Sequence, residues 1–274
     1  MTAEEIKERI EEIRNFDFVN IPFEEVFNKI RQLMISGYKI RSFPGGHNFV
    51  YRARRTAERI NNLSQIWALN PTEVVQYGRA NWLGFSVFYC ADSYEVAIEE
   101  IHPKVGDLIT IMRCRNVNAR NMSAISFGFP DNSRLIFSNG DSINLSDHRE
   151  AAFDMDEDSL EKNKIIDSFF NSVFLDNDKL ICSYGDHRYK ITAALAKMYF
   201  DNPNPNSHRL NCICYPSVSS RRNATNYAII NDYALEYLIV DGFWCYEAHD
   251  ETLKLISFAS GVGIDETILW DNNS

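Results

Sequence analysis

Short runs of β-branched and aromatic residues recur along this 274-residue chain, and stretches with helical spacing separate them. The runs are HNFVYRARR (47–55), SVFYCA (86–91), DLITIMRCRNV (107–117), LNCICYPSVS (210–219) and NYAII (226–230). Each has the length and composition of a strand. Between them, SYEVAIEEI (93–101), KIIDSFFNSVF (164–174) and YKITAALAKMYF (189–200) carry the signature of helices, with Ser93 as a candidate N-cap. A chain of this kind is expected to be α+β, with a mixed β core and flanking helices. The C-terminal part, 231–270, reads as short strands and turns.

The N-terminus has a different character. Ile6, Ile10 and Ile13 share one helical face, and Val26, Ile30 and Leu33 share another, with Asn20 and Pro22 as the stop and restart between them. This predicts a helical hairpin ahead of the main domain, joined to it by SGYKIRSFPGG (36–46). The expected organisation is a helical segment over 1–45 and one larger domain over 46–274. The two apolar faces fit a core and a partner surface equally well. Residues 118–163 are polar and turn-rich. The DMDED run at 154–158 lacks the glycine of an EF-hand loop and reads as solvated loop.

Composition removes several functional classes. Apolar residues make up 45% of the chain, enough for a sizeable core. The net charge is −10, so the surface as a whole repels nucleic acid, although a local basic pocket for one phosphorylated metabolite is compatible with it. No apolar run approaches the roughly 18–20 residues of a membrane span. The charged, amphipathic start is unlike a signal peptide. Six cysteines, with no CxxC pair, sit mostly in strand-like runs, which suggests buried thiols in a reducing cytoplasm. The six histidines are scattered, so no metal site is expected. Dinucleotide, P-loop, zinc-protease and nucleophile-elbow motifs are all missing.

What remains is GRANWLGFSVFYCADSYEVAIEEI, residues 78–101, which holds Arg79, Tyr89 and Glu100 at spacings of 10 and 11. Singly these have ordinary readings: an ion-paired arginine, a core tyrosine and a solvated helix glutamate. Ser217, after Pro216, reads alone as a turn residue, and the Arg221-Arg222 pair as solvated loop. The order of the elements says more. Gly78-Arg79-Ala80-Asn81, the strand ending Phe88-Tyr89, and the helix Val96-Ala97-Ile98-Glu99-Glu100-Ile101 resemble the core of the RES domain. So do Tyr189 to Ala196, Tyr215-Pro216-Ser217 and Asn226-Tyr227-Ala228-Ile229. The resemblance covers roughly residues 47–230.

That resemblance implies an ADP-ribosyltransferase-like fold and a bacterial toxin that depletes NAD. The family arginine falls on Arg79, its tyrosine on Tyr89, its glutamate on Glu100 and its serine on Ser217. Glu99 competes for the glutamate position, but the family spacing from Ala97 selects Glu100. Two features depart from a compact RES domain: the segment 1–45 and a long stretch at 118–188. Because 1–45 supplies none of the four residues, a truncated chain that stays soluble is expected to keep activity but to change its oligomeric state or antitoxin binding.

The residue chemistry agrees with NAD as substrate. Loss of nicotinamide leaves positive charge on the ribose, which a carboxylate such as Glu100 can stabilise. Arg79 suits the pyrophosphate, with Arg52 as a second phosphate candidate. Tyr89 offers a ring for the nicotinamide, and Ser217 a hydroxyl for a ribose or amide. The resemblance also implies a cognate antitoxin, commonly a helix-turn-helix protein, and leaves homo-oligomerisation open. Two alternatives keep the fold: transfer of ADP-ribose to a protein, and a non-catalytic binding module.

Overall fold

The computed structural model describes residues 1–35, 42–44, 48–129, 134–136, 142–144, 155–175, 185–201, 210–218, 224–250 and 252–271. Eleven strands are found among them: β1 (Phe43–Pro44), β2 (Phe49–Thr56), β3 (Val87–Ala91), β4 (Leu108–Asn116), β5 (Ser123–Ser126), β6 (Arg134–Ile136), β7 (Ser142–Asn144), β8 (Cys212–Pro216), β9 (Thr225–Ile230), β10 (Leu238–Ala248) and β11 (Leu253–Ala259). Nine form one sheet in the order β1-β5-β8-β9-β3-β2-β4-β10-β11, and β6 pairs with β7 alone. Within the large sheet, β5 and β8 run parallel while the other pairings are antiparallel. A parallel pair needs a long crossover. Residues 127–211 supply it.

Among the described residues six α-helices flank the sheet: α1 (Ala3–Arg14), α2 (Phe23–Ile35), α3 (Tyr94–Glu100), α4 (Glu157–Phe174), α5 (Lys190–Phe200) and α6 (Asn231–Tyr237). The fold is therefore α+β with a mixed sheet and an N-terminal helical segment. Helix starts follow local chemistry. Thr2 and Glu5 form a reciprocal capping box on α1, Ser93 caps α3 through the Val96 amide, and Asp156 caps α4 through the Ser159 amide. The acidic run expected as loop at 154–158 thus includes a helix start: Glu157 and Asp158 fill the first turn of α4, where the helix dipole favours negative charge. Among the described residues no helix is long and apolar enough to cross a membrane.

The sheet carries two unequal layers. On one face, Ile98 of α3 packs with Ile109, Ile111 and Ala248, beside Tyr51 and Ala53. The other face holds the main core, which contains Met112 and Cys114 from β4 with Phe170, Phe174 and Leu195 from α4 and α5. Ile109 and Ile111 against Met112 and Cys114 is the two-residue alternation of a strand. The five described cysteines are free and buried, and Cys182 lies outside the described residues.

Helices α1 and α2 belong to the main core. Ile6, Ile13, Val26, Ile30 and Leu33 are each 0% exposed, and α1 packs on α4 while α2 packs on α5. A fully buried aliphatic side chain of this size contributes about 1.5–3 kcal/mol. Both apolar faces are core.

The C-terminal part is more regular than expected. It holds α6 and an 11-residue strand, β10, rather than short strands and turns. Asp241-Gly242 has the look of a turn in sequence, but the strand passes through it with a register shift between Val240 and Gly242. Arg113 secures the bulge by pairing with Asp241 and lying 5.2 Å from the ring centroids of both Phe49 and Trp244.

Candidate active site

Four neighbouring strands, β8-β9-β3-β2, form the floor of a cleft of ≈ 400 Å³, and α3, the 78–81 loop and the start of α5 form its walls. Its lining includes Tyr51, Arg79, Tyr89, Glu100, Tyr215 and Asn226, with Tyr189 also present. The volume falls within the range of small-molecule sites, about 300–1,000 Å³.

Glu100 is the last residue of α3, at a helix end where the dipole disfavours a carboxylate. Two side chains hold it there. Ser217 Oγ donates to Glu100 Oε1 at 2.6 Å, and Asn226 Nδ2 donates to the same oxygen at 2.8 Å. Charge-assisted bonds of this length are roughly twice as strong as neutral ones. Ser217 is 0% exposed and Asn226 5%, so both donors are fixed in the protein interior while Glu100 itself is exposed. Ser217 therefore stands behind the carboxylate. Glu99 is also exposed and is not part of the cleft lining.

Arg79 rises from a tightly built loop. Gly78 donates its amide to the Asn81 carbonyl at 3.1 Å, and a Cβ on Gly78 would lie 2.1 Å from Asn81 Oδ1 and 3.0 Å from the Tyr89 hydroxyl. The Tyr89 hydroxyl accepts from the Ala80 amide at 2.8 Å and donates to Asn81 Oδ1 at 2.9 Å. Burial pushes the Tyr89 phenol well above its usual range, so it serves as a neutral hydrogen-bonding post. Its hydroxyl is committed to the loop, which leaves the ring as its contribution to the cleft. The Arg79 guanidinium donates to the carbonyl of Phe174, the last residue of α4, and lies 5.2 Å from the Tyr215 ring centroid and 5.9 Å from that of Tyr189.

Arg52 borders the same cleft, and two of its donors are engaged within the protein. Nε donates to the Ile66 carbonyl at 2.6 Å and Nη1 to the Tyr89 carbonyl at 2.7 Å, with the guanidinium 5.5 Å from the Phe88 ring centroid. Burial lowers its pKa below the usual guanidinium value. Its strand neighbours Tyr51 and Ala53 pack toward α3.

The structure brings Arg79, Tyr89, Glu100 and Ser217 to one site from four separate segments. The sequence model of the RES domain family matches residues 49–248. The chain belongs to the RES domain family. No curated protein matches it. The matched part of this RES protein includes every residue that lines the cleft, whereas α1 and α2 precede it. The sequence alone assigns Asn226 no role of its own, although an asparagine near the start of the largely apolar β9 is a visible signal. It pairs with Tyr215 on one side and Ala91 on the other, which places it at the cleft floor of the RES domain.

Proposed function

We propose that this RES protein binds NAD in the cleft and breaks the bond between nicotinamide and ribose, as the NAD-depleting toxin of a bacterial toxin–antitoxin pair. The observation that carries this is the Glu100 carboxylate, held by Ser217 and Asn226 in a cleft that also contains the Arg79 guanidinium. The glycosidic electron pair leaves with the nicotinamide nitrogen, and positive charge develops on the ribose. A fixed carboxylate beside that charge stabilises the transition state without having to reorganise. Arg79 faces the pyrophosphate, for which a planar guanidinium is well suited. The rings of Tyr51, Tyr89 and Tyr215 supply aromatic faces for the bases. Water or inorganic phosphate takes the ribose carbon, and its proton passes to solvent or to Glu100.

The test is incubation of the purified full chain with NAD while free nicotinamide is followed. The expected result is steady release by the wild type and none by Glu100→Gln. A folded wild-type protein that releases no nicotinamide at millimolar NAD overturns the reading. The cellular role predicts growth arrest on expression of the chain alone, relieved by co-expression of its antitoxin.

A further inference from the structure

Of the two residues that bound the Arg79 loop, Tyr77 before it is stacked by Phe23 from outside the matched region, while Trp82 after it stacks on Phe85 and meets Lys197, which in turn lies over Phe27 of α2. On α5, Lys190 and Lys197 are seven residues apart and so share a face. Lys190 is 4% exposed; its ammonium donates to the Ile21 carbonyl at 2.7 Å and lies 5.7 Å from the Tyr77 ring centroid. Asp17, in the turn between α1 and α2, supplies the facing negative charge. Lys197 lies 5.0 Å from the Trp82 centroid and 5.6 Å from that of Phe27, and pairs with Asp201 at 2.9 Å. Phe23 stacks on Tyr77 with centroids 5.2 Å apart. Phe23 and Phe27 are four residues apart on α2, so they too share a face.

The consequence is physical. An ammonium in a largely apolar setting is stable only with its acceptors in place. For Lys190 the acceptor is the Ile21 carbonyl of the α1–α2 turn, with the Asp17 charge in the same turn and a ring that leads directly into Gly78-Arg79. Tyr189, adjacent to Lys190, is one of the two rings beside Arg79. The N-terminal helices thus hold the loop directly at Tyr77 and reach its other end only through Lys197.

We propose that the α1–α2 turn and α2 form a positioning element for Arg79: Ile21, Phe23 and Phe27 keep Lys190 and Lys197 against Tyr77 and Trp82, and this fixes the loop that aims the guanidinium at an anionic ligand. Phe23, Lys190 and Lys197 are positioning residues and do not themselves touch the ligand. The identity of that ligand as NAD rests on the function proposed above; the grip on the loop does not.

The test uses the full chain with Phe23→Leu and Lys190→Met. Phe23 is only half-buried, and methionine keeps the apolar stem of Lys190, so both variants are expected to fold. Amide hydrogen exchange at residues 78–82 should quicken at least tenfold in each, and NAD should bind at least tenfold more weakly by calorimetry. Neither change should weaken NAD further when Arg79→Ala is already present, because the effect passes through Arg79. Unchanged exchange at 78–82 in folded variants overturns the proposal, as does a full loss of affinity that persists on the Arg79→Ala background. If the wild type binds no NAD, the NAD reading falls while the exchange measurement still decides the grip.

Discussion

The Ser217 hydroxyl lies 2.6 Å from Oε1 of Glu100, although the two residues are 117 positions apart in the chain. Asn226 reaches the same oxygen from the next strand. A solvent-facing glutamate at the end of a helix would ordinarily sample many rotamers, and two buried donors remove that freedom. Fixing this carboxylate is the main chemical outcome of the β8-β9-β3 arrangement.

Glu100→Gln should lower nicotinamide release by about 10²–10³-fold, the usual loss when one transition-state electrostatic partner is removed. Glu99→Gln, altered on the exposed side of the same helix end, should stay within about twofold of wild type. Steady-state kinetics with both variants checks the assignment, and the reverse pattern would transfer the role to Glu99.

Ser217→Ala and Asn226→Ala should each slow turnover by roughly 10- to 100-fold, since a hydrogen bond to a charged group is worth about 1.5–3 kcal/mol. The double variant should lose less than the product of the two, because both donors serve one oxygen and are coupled. Strict multiplication of the two effects would show that they act independently.

Gly78→Ala should abolish NAD binding while leaving most of the fold intact. The added methyl would sit 2.1 Å from Asn81 Oδ1, so the Asn81–Tyr89 bond has to give way and the Arg79 loop with it. Calorimetric NAD affinity beside a thermal melt separates the two effects. Wild-type affinity in this variant would show that the loop adapts.

From pH 7, stability should be flat to about pH 8 and fall as pH rises further. Burial pushes up the thiols of Cys90, Cys212 and Cys114, the last to about 12, and the phenols of Tyr215, Tyr227 and Tyr233, the last to about 12. The unfolded chain releases these protons near the ordinary values of about 8.5 and 10. Between those values and the raised ones the folded state binds more protons, so unfolding becomes easier with each pH step. Denaturant melts from pH 7 to 11 measure the slope, and a stability that rises across that window would contradict the assignment.

The parts of the fold governed by local rules were legible in the sequence. Ser93 announced α3, the apolar runs announced β3, β4, β8 and β9, and the isoleucine spacing announced α1 and α2. What stayed hidden depends on long-range pairing. Asp241-Gly242 carries turn chemistry, and only the neighbouring strand β4 makes it a bulge. Arg52 and Arg79 are the same residue type in sequence, and only the fold shows that Arg52 is buried with its guanidinium on the carbonyls of Ile66 and Tyr89. The burial of α1 and α2 depends on α4 and α5, more than a hundred residues later. The same burial bears on removal of 1–45: such a chain would expose the faces of α4 and α5 that α1 and α2 cover and take the Ile21 carbonyl from Lys190, so the expected activity depends on the truncated chain staying soluble.

The distance in sequence between Glu100 and its two donors has a consequence for the timing of synthesis. Translation proceeds at about 5–20 residues per second, so Ser217 leaves the ribosome roughly 6–23 s after Glu100. Until β8 and β9 have emerged and β9 has paired with β3, the nascent chain carries Arg79, Tyr89 and Glu100 without the scaffold that joins them. Under the function proposed above, a growing polypeptide of this kind lacks the assembled site, and a ligand that captures the chain before β9 docks would act on a protein that has never been active.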